Sequence, residues 1–158
     1  PILLASLGTL PLMAFGGDDQ IRKRTFKTIA DGRTGISEAV DIGKSRGAPG
    51  DMFVFDQPLL DAGGKVIGAN AGFCVRTTPG EFSVCQWTLA MANGSLTVAG
   101  READHGTSLI PVIGGTGEFA CATGVLATTP RGDKTYEQIL TLYSRSDCAE
   151  TGGINGKF

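Results

Sequence analysis

Residues 70–89, NAGFCVRTTPGEFSVCQWTL, decide the fold, because a tight turn separates two runs rich in β-branched and aromatic side chains. The turn is the tetrapeptide 78–81, whose central Pro and Gly are typical of a type II β-turn. If its first and last residues pair, the two residue numbers of every cross-strand pair sum to 159, and Cys74 lies opposite Cys85. Directly opposed strand residues have Cβ atoms about 4.5–5.5 Å apart. The register therefore predicts a disulfide between these two cysteines.

The same register sorts the hairpin side chains by face, because the side-chain period of a strand is two. One face carries Asn70, Gly72, Cys74, Arg76, Ser83, Cys85, Trp87 and Leu89, and the other carries Ala71, Phe73, Val75, Phe82, Val84, Gln86 and Thr88. Neither face is polar throughout. We therefore expect one face inside a barrel and the other against a partner subunit or the N-terminal segment.

Outside the hairpin, short runs rich in Val, Ile, Thr and Phe recur between Gly, Pro, Asp and Asn clusters, and no long helical periodicity is present. These runs predict strands near 21–30, 36–42, 51–60, 66–78, 81–91, 95–102, 107–113, 122–129 and 135–144. Regularly spaced short strands without crossover helices indicate a sandwich or a closed barrel. The predicted fold is all-β, an eight-stranded antiparallel up-and-down barrel with an apolar cavity.

The number and spacing of the cysteines indicate the cellular compartment of the protein. The four cysteines are even in number and lack the close spacing of a zinc site, and His105 is the only histidine, so we expect no metal. Cys121 and Cys148 remain as a second pair, and two disulfides indicate a secreted or periplasmic protein. The alternative is that Cys74 and Cys85 are reduced core residues, which would indicate the cytoplasm.

Length and charge limit the possible domain organisation and the possible partners. The chain has 158 residues and a formal charge of −2, which gives no footprint for nucleic acid or an anionic membrane. The expected organisation is an apolar tail at 1–18, a barrel domain at 19–146 and a C-terminal tail at 147–158. The apolar stretch at 1–15 is too short and too broken to span a bilayer. It is either a signal remnant or a lid over the barrel.

Four segments resemble known families. Residues 50–57 (GDMFVFDQ) and 68–75 (GANAGFCV) resemble two strands of plant allene oxide cyclase. Residues 94–101 (GSLTVAGR) and 113–119 (IGGTGEF) resemble dirigent proteins, whose hallmark is a strand ending in Gly-Arg followed by Val-Gly-Gly-Thr-Gly-x-Phe. The resemblance covers over half of the chain and extends to bacterial barrels that catalyse spirocyclising Diels–Alder reactions.

The resemblance implies a commonly trimeric barrel, so we expect a homo-oligomer. It also implies a cofactor-free cyclase or isomerase that holds an apolar, polyunsaturated substrate in one folded conformer and lowers the barrier through orientation. The alternative is a non-enzymatic protein, either a secreted dirigent-type auxiliary or a barrel that binds a hydrophobic ligand. The expected partner in each case is a hydrophobic small molecule.

Individual positions carry the resemblance only in part. Cys74 matches a cavity-lining cysteine of allene oxide cyclase, and Gln57 matches its cavity asparagine. Asp56 matches the first of the paired aspartates of dirigent proteins. The first strand lacks the glutamate of allene oxide cyclase, and residues 81–91 lack its tyrosine. These departures count against jasmonate-type cyclisation.

Arg76 is the most informative polar residue, because the register places it on the face of Cys74 and Trp87. If that face lines the cavity, its guanidinium can stabilise negative charge that develops on the substrate. The alternative is that Arg76, near the end of the hairpin, extends to solvent. Asp56 is the candidate carboxylate partner, although Asp56 and Gln57 alternate and only one can face inward. The candidate catalytic residues are thus Arg76, Gln57 and Asp56, and the candidate substrate-binding residues are Phe53, Phe55, Asn70, Trp87 and Leu89.

Overall fold

The computed structural model describes residues 21–43 and 45–145 and consists almost entirely of antiparallel strands. The strands are Ile21–Asp31 (β1), Ile36–Val40 (β2), Met52–Asp61 (β3), Val66–Thr78 (β4), Phe82–Met91 (β5), Gly94–Ala103 (β6), Ser108–Gly115 (β7), Thr123–Pro130 (β8) and Thr135–Arg145 (β9). All nine predicted strands are present. The predicted tails at 1–18 and 147–158 and Cys148 lie outside the described residues.

The strands form one sheet in the order β1-β9-β8-β7-β6-β5-β4-β3-β2, and a further β1–β3 pairing closes it. Closure runs from Thr28 opposite Asp61 to Ala30 opposite Leu59. The chain then turns, and β2 pairs with the remaining N-terminal half of β3. The result is a closed eight-stranded antiparallel barrel with one extra strand, which confirms the predicted fold class.

The β4–β5 hairpin has the predicted register over most of its length, from Gly68 opposite Met91 to Arg76 opposite Ser83. Cys74 faces Cys85 at a Cα–Cα distance of 4.0 Å and is bonded to it, so the predicted disulfide is confirmed. The prediction was wrong only beside the turn. There the register shifts and Thr78 pairs with Phe82, because a type II turn does not match the twist of a hairpin and an irregular residue accommodates the difference.

Alternating side chains fill one half of the barrel. The face of β5 that carries Cys85, Trp87 and Leu89 is buried, so the face containing Cys74 and Arg76 points inward. Apolar side chains pack the half of the interior away from the β4–β5 turn, among them Leu59, Leu89, Leu96, Val98, Ile110, Leu126, Leu140 and Leu142. Because packed interiors leave little room, the inner cavity lies in the other half. A separate hollow of about 530 Å3 opens at the packed end, beside Phe26, Met91 and Phe119.

The dirigent-type segment at 113–119 closes the packed half. The backbone N–H of Glu118 donates to the carbonyl of Asn93, and the N–H of Thr116 donates to the carbonyl of Ser95. Gly117 has a φ of +60°, and a Cβ there would lie 2.4 Å from the Asn93 carbonyl oxygen, so glycine is required. This turn sets Phe119, 2% exposed, into the core.

Candidate functional site

The open half of the barrel contains an internal cavity of about 60 Å3. Its lining comes from seven strands and consists of Ala30, Phe53, Phe55, Gln57, Asn70, Cys74, Trp87, Glu102, Thr128, Tyr136 and Gln138. The walls combine apolar side chains with a band of polar groups, of which only Gln57 and Asn70 were predicted from the sequence.

The structure brings together most of the sequence-predicted site residues. Phe53, Phe55, Asn70 and Trp87 all line the cavity, as does Gln57. The rings of Phe53 and Phe55 lie with centroids 5.8 Å apart and form an aromatic wall.

Two predicted positions lie elsewhere. Asp56 is exposed on the outer face, because Gln57 takes the inward place in the alternation of β3. Leu89 is fully buried in the packed half of the barrel and does not line the cavity.

The cavity is continuous with a wider mouth beside the β4–β5 turn. A hollow of about 260 Å3 there shares Phe53, Cys74, Glu102 and Tyr136 with the inner cavity. The mouth therefore offers a path from solvent to the inner cavity.

Arg76 stands at this mouth and not deep in the lumen. Its guanidinium forms an ion pair with Asp104 across β4 and β6, and the two side chains are 25% and 24% exposed. The prediction that Asp56 pairs with Arg76 was wrong. Arg76 and Asp104 both extend inward at the same end of the barrel, whereas Asp56 points outward. An ion pair at this depth satisfies both charges without full desolvation.

A loop borders the mouth and is fixed by one carboxylate. Asp51 accepts hydrogen bonds from the backbone N–H groups of Ile42 (2.9 Å), Gly43 (3.2 Å) and Ala48 (2.9 Å). These backbone donors hold the pKa of Asp51 below its usual value. The backbone N–H of Arg76 donates in turn to the Asp51 carbonyl at 2.8 Å, so the loop is tied to β4.

Glu102 is the most strongly perturbed group of the cavity. Burial raises the pKa of its carboxyl from 4.5 to about 7, and the nearby charge of Asp104 adds to the increase, while a hydrogen bond with Thr128 opposes it. Both protonation states are therefore populated near neutral pH. A half-buried carboxyl with this pKa can accept or donate a proton, as a general acid–base catalyst must.

The disulfide lies against this carboxyl. Glu102 Oε2 is 3.3 Å from Cys85 Sγ and 3.8 Å from Cys74 Sγ. Disulfide sulfurs carry no hydrogen and cannot donate to the carboxylate. These three residues are also close enough together to hold a metal ion. Metal-binding cysteines are thiolates, so the bonded pair does not fit a metal centre.

Polar side chains deeper in the barrel satisfy one another. Thr28 Oγ1 donates to Gln138 Oε1 at 3.0 Å, and Gln138 Nε2 donates to Asn70 Oδ1 at 3.2 Å. Gln57 Nε2 donates to Ser37 Oγ at 3.0 Å. The first bond links the paired strands β1 and β9, the second crosses the lumen from β9 to β4, and the third joins β3 to β2. Together they fix the orientation of the amide side chains.

Tyr136 faces the same space as Glu102. Burial raises the pKa of its hydroxyl, and the charge of Glu102 raises it further. The hydroxyl therefore remains protonated at neutral pH and can act as a hydrogen-bond donor.

Sequence reasoning missed Glu102, Thr128, Tyr136 and Gln138. One signal was available for Glu102, because it alternates in step with Leu96 and Val98, both fully buried, and so belongs to the inward face of β6. A carboxylate in the inward register of a barrel strand is a candidate functional group.

Comparisons with known proteins agree with this architecture. A solved structure titled "Pyocyanin demethylase" superposes with a TM-score of 0.64 at 25% identity, covering 77% of this chain and 99% of that one. The pterocarpan synthase dirigent protein GePTS1 gives 0.61 at 18% identity, over 82% and 87%. The Diels Alderase AbmU from Streptomyces koyangensis gives 0.62 at 15% identity, over 90% and 76%. No curated protein matches the sequence.

The dirigent protein and the Diels Alderase are 18% and 15% identical to this chain, so they show the shared fold alone. Within the described residues, no helix is long and apolar enough to cross a membrane. The family model described as "Dirigent-like protein" matches residues 21–144, which include all nine strands but for the last residue of β9. The chain therefore belongs to the dirigent-like protein family.

Proposed function

We propose that the chain is a cofactor-free enzyme of the cyclase or isomerase class, which moves a proton within a small, unsaturated, apolar substrate held in the barrel. The observation that carries this proposal is Glu102, a carboxyl with a pKa of about 7 inside an aromatic-lined cavity. A general base is most effective when its pKa lies near the working pH.

In this proposal the aromatic residues position the substrate and the carboxylate transfers the proton. Phe53 and Phe55 hold a flat substrate against one wall, so that its reacting carbon lies beside Glu102. The carboxylate takes a proton from one atom of the substrate and returns it to another. The reaction is balanced without an oxidant, reductant or leaving group.

Arg76 and Gln57 have supporting roles in this proposal. Arg76 holds Asp104 at the mouth, where the two charges limit the entry of ions, and the paired Asp104 contributes to the raised pKa of Glu102. Gln57, hydrogen-bonded to Ser37, shapes the floor of the cavity.

The structural neighbours support an enzyme of this kind. Two of them are titled as Diels-Alderases, and another is titled as a cyclase that catalyses a [4 + 2] cycloaddition. A [4 + 2] cycloaddition, like an isomerisation, conserves all atoms of the reactants, and a barrel cavity suits both reactions because confinement supplies orientation.

A panel of small β,γ-unsaturated ketones, beginning with 3-cyclohexen-1-one, tests the proposal through absorbance of the conjugated product. We expect the wild type to accelerate isomerisation over buffer, with a rate that rises with pH through a midpoint near 7. Glu102→Gln should lower the rate about 100- to 10,000-fold. Glu81→Gln, at an exposed position in the hairpin turn, is the matched control and should match the wild type. A wild-type rate equal to buffer, or an unchanged rate in Glu102→Gln, would contradict the proposal.

The second candidate is a dirigent-type auxiliary that steers radicals generated by another enzyme, and family membership favours it. It requires a bound ring but no proton transfer. An optically enriched dimer from a 4-propenylphenol treated with a one-electron oxidant, obtained equally with wild type and Glu102→Gln, would favour this candidate. The disulfide supports a secreted or periplasmic location for either function.

A further inference from the structure

Trp87 has an unused hydrogen-bond donor. Its side chain is 3% exposed and lines the inner cavity. Among the described residues, its indole Nε1 is the one buried side-chain nitrogen or oxygen without a hydrogen-bond partner. Nearby, Gln57 Nε2 and both amide atoms of Gln138 already have partners. Buried polar groups in native proteins are almost always satisfied, so this N–H needs an acceptor from outside the chain.

The backbone keeps the indole in this position. Gly72 lies directly opposite Trp87 on β4. A Cβ at Gly72 would lie 2.4 Å from the Trp87 Cβ and 2.2 Å from the Gln86 carbonyl oxygen, so no other residue fits there without a backbone shift. The close approach of β4 to β5 thus fixes the base of the Trp87 side chain, and the donor is held in place before a ligand binds.

The charges around the cavity restrict the acceptor. The carboxyl of Glu102 disfavours a second anion in the same buried space. The guanidinium of Arg76, a cation at the mouth, is already engaged by Asp104. A neutral carbonyl oxygen satisfies the indole N–H without adding charge, and the Phe53–Phe55 wall suits a flat, conjugated skeleton.

We infer that Trp87 Nε1 donates a hydrogen bond to the carbonyl oxygen of a flat, unsaturated ketone or related carbonyl compound, and that this is the substrate class of the cavity. The inference rests on the proposed function. When Glu102 removes a proton from the carbon next to the carbonyl, the C–H electron pair forms the enolate and negative charge develops on the oxygen. The indole N–H stabilises that charge. Return of the proton to a different carbon restores the carbonyl, and all atoms are conserved.

The experiment uses a matched pair of probes, α-tetralone and tetralin, which differ by one carbonyl group. Trp87 is the only tryptophan in the chain, so the ¹H–¹⁵N spectrum has a single indole signal to follow. We expect α-tetralone to shift this signal downfield and tetralin to leave its proton shift nearly unchanged. Trp87→Phe keeps the aromatic area and should weaken α-tetralone binding by about five- to tenfold, the effect of one hydrogen bond. Its affinity for tetralin should be unchanged.

Two results would overturn the inference: the same indole shift with both probes, or an equal loss of affinity for both in Trp87→Phe. Either would mean that Trp87 is only a packing residue. The spectrum of the wild type decides the matter even if Trp87→Phe does not fold. Glu102→Gln separates this inference from the proposed function, because it should retain the indole shift with α-tetralone while losing isomerisation. A ketone-specific indole shift without any isomerisation by the wild type would leave the carbonyl site standing and remove the proposed reaction.

Discussion

Replacing Glu102 with Gln should stabilise the protein at neutral and alkaline pH, although it removes the proposed catalytic group. In the folded state, burial raises the pKa of this carboxyl from 4.5 to about 7. The folded protein therefore binds a proton more tightly than the unfolded chain. Between pH 4.5 and 7 the folded state holds more protons, so the free energy of unfolding falls as pH rises through this window and then stays low.

The size of the effect follows from the same pKa. A rise from 4.5 to about 7 corresponds to about 3 kcal/mol of penalty for the charged form above pH 7, and to none below pH 4. Gln is nearly isosteric and carries no charge. Glu102→Gln should therefore raise the free energy of unfolding by up to about 3 kcal/mol at pH 8, equivalent to roughly 6 to 12 °C in Tm for a domain of this size.

Urea unfolding of both proteins at pH 4, 6 and 8, with the disulfide intact, measures this difference. The gain should be absent at pH 4, intermediate at pH 6 and largest at pH 8. Glu81→Gln, at an exposed position, should track the wild type at all three values. A difference between Glu102→Gln and wild type that is the same at pH 4 and pH 8 would refute the reasoning, because it would show that the carboxyl is not destabilised by burial.

The remaining predictions concern the mouth, the cross-link and the outer surface. Arg76→Met leaves Asp104 unneutralised, so the pH–rate midpoint of Glu102 should move upward; a downward move would contradict this. Replacing Cys74 and Cys85 with Ala should cost about 3 kcal/mol in urea unfolding, and non-reduced peptide maps should contain the Cys74–Cys85 link. Phe73 and Val84 are 39% and 48% exposed on the outer face; sedimentation should give an oligomer that Val84→Glu dissociates.

Cys121 is exposed, and its predicted partner Cys148 lies outside the described residues. The Cys121–Cys148 disulfide therefore stays a prediction, which the non-reduced peptide map also tests. Homo-oligomer formation is likewise a prediction. Burial of the outer hairpin face against a second copy would remove apolar surface from water at roughly 25 cal/mol per Å2.

The sequence alone determined the features that depend on local geometry. The alternation of side chains and the Pro-Gly turn gave the register of β4 and β5, and with it the Cys74–Cys85 disulfide. The same alternation located all nine strands. These predictions succeeded because a strand's period and a turn's preferred residues act over a few positions, and a shift of one residue would expose an entire apolar face.

Only the tertiary structure decided which groups share the cavity. Tyr136 and Gln138 lie on β9, far from Trp87 in the sequence, and they share a cavity with it because the β1–β3 pairing closes the barrel. The partner of Arg76 was also decided there, since Asp104 at the end of β6 reaches Arg76 on β4 past the intervening strand β5. The raised pKa of Glu102 also depends on the tertiary structure, because burial inside the folded barrel is its main cause. Residues far apart in the chain interact through space, and no local pattern specifies which of them will be neighbours.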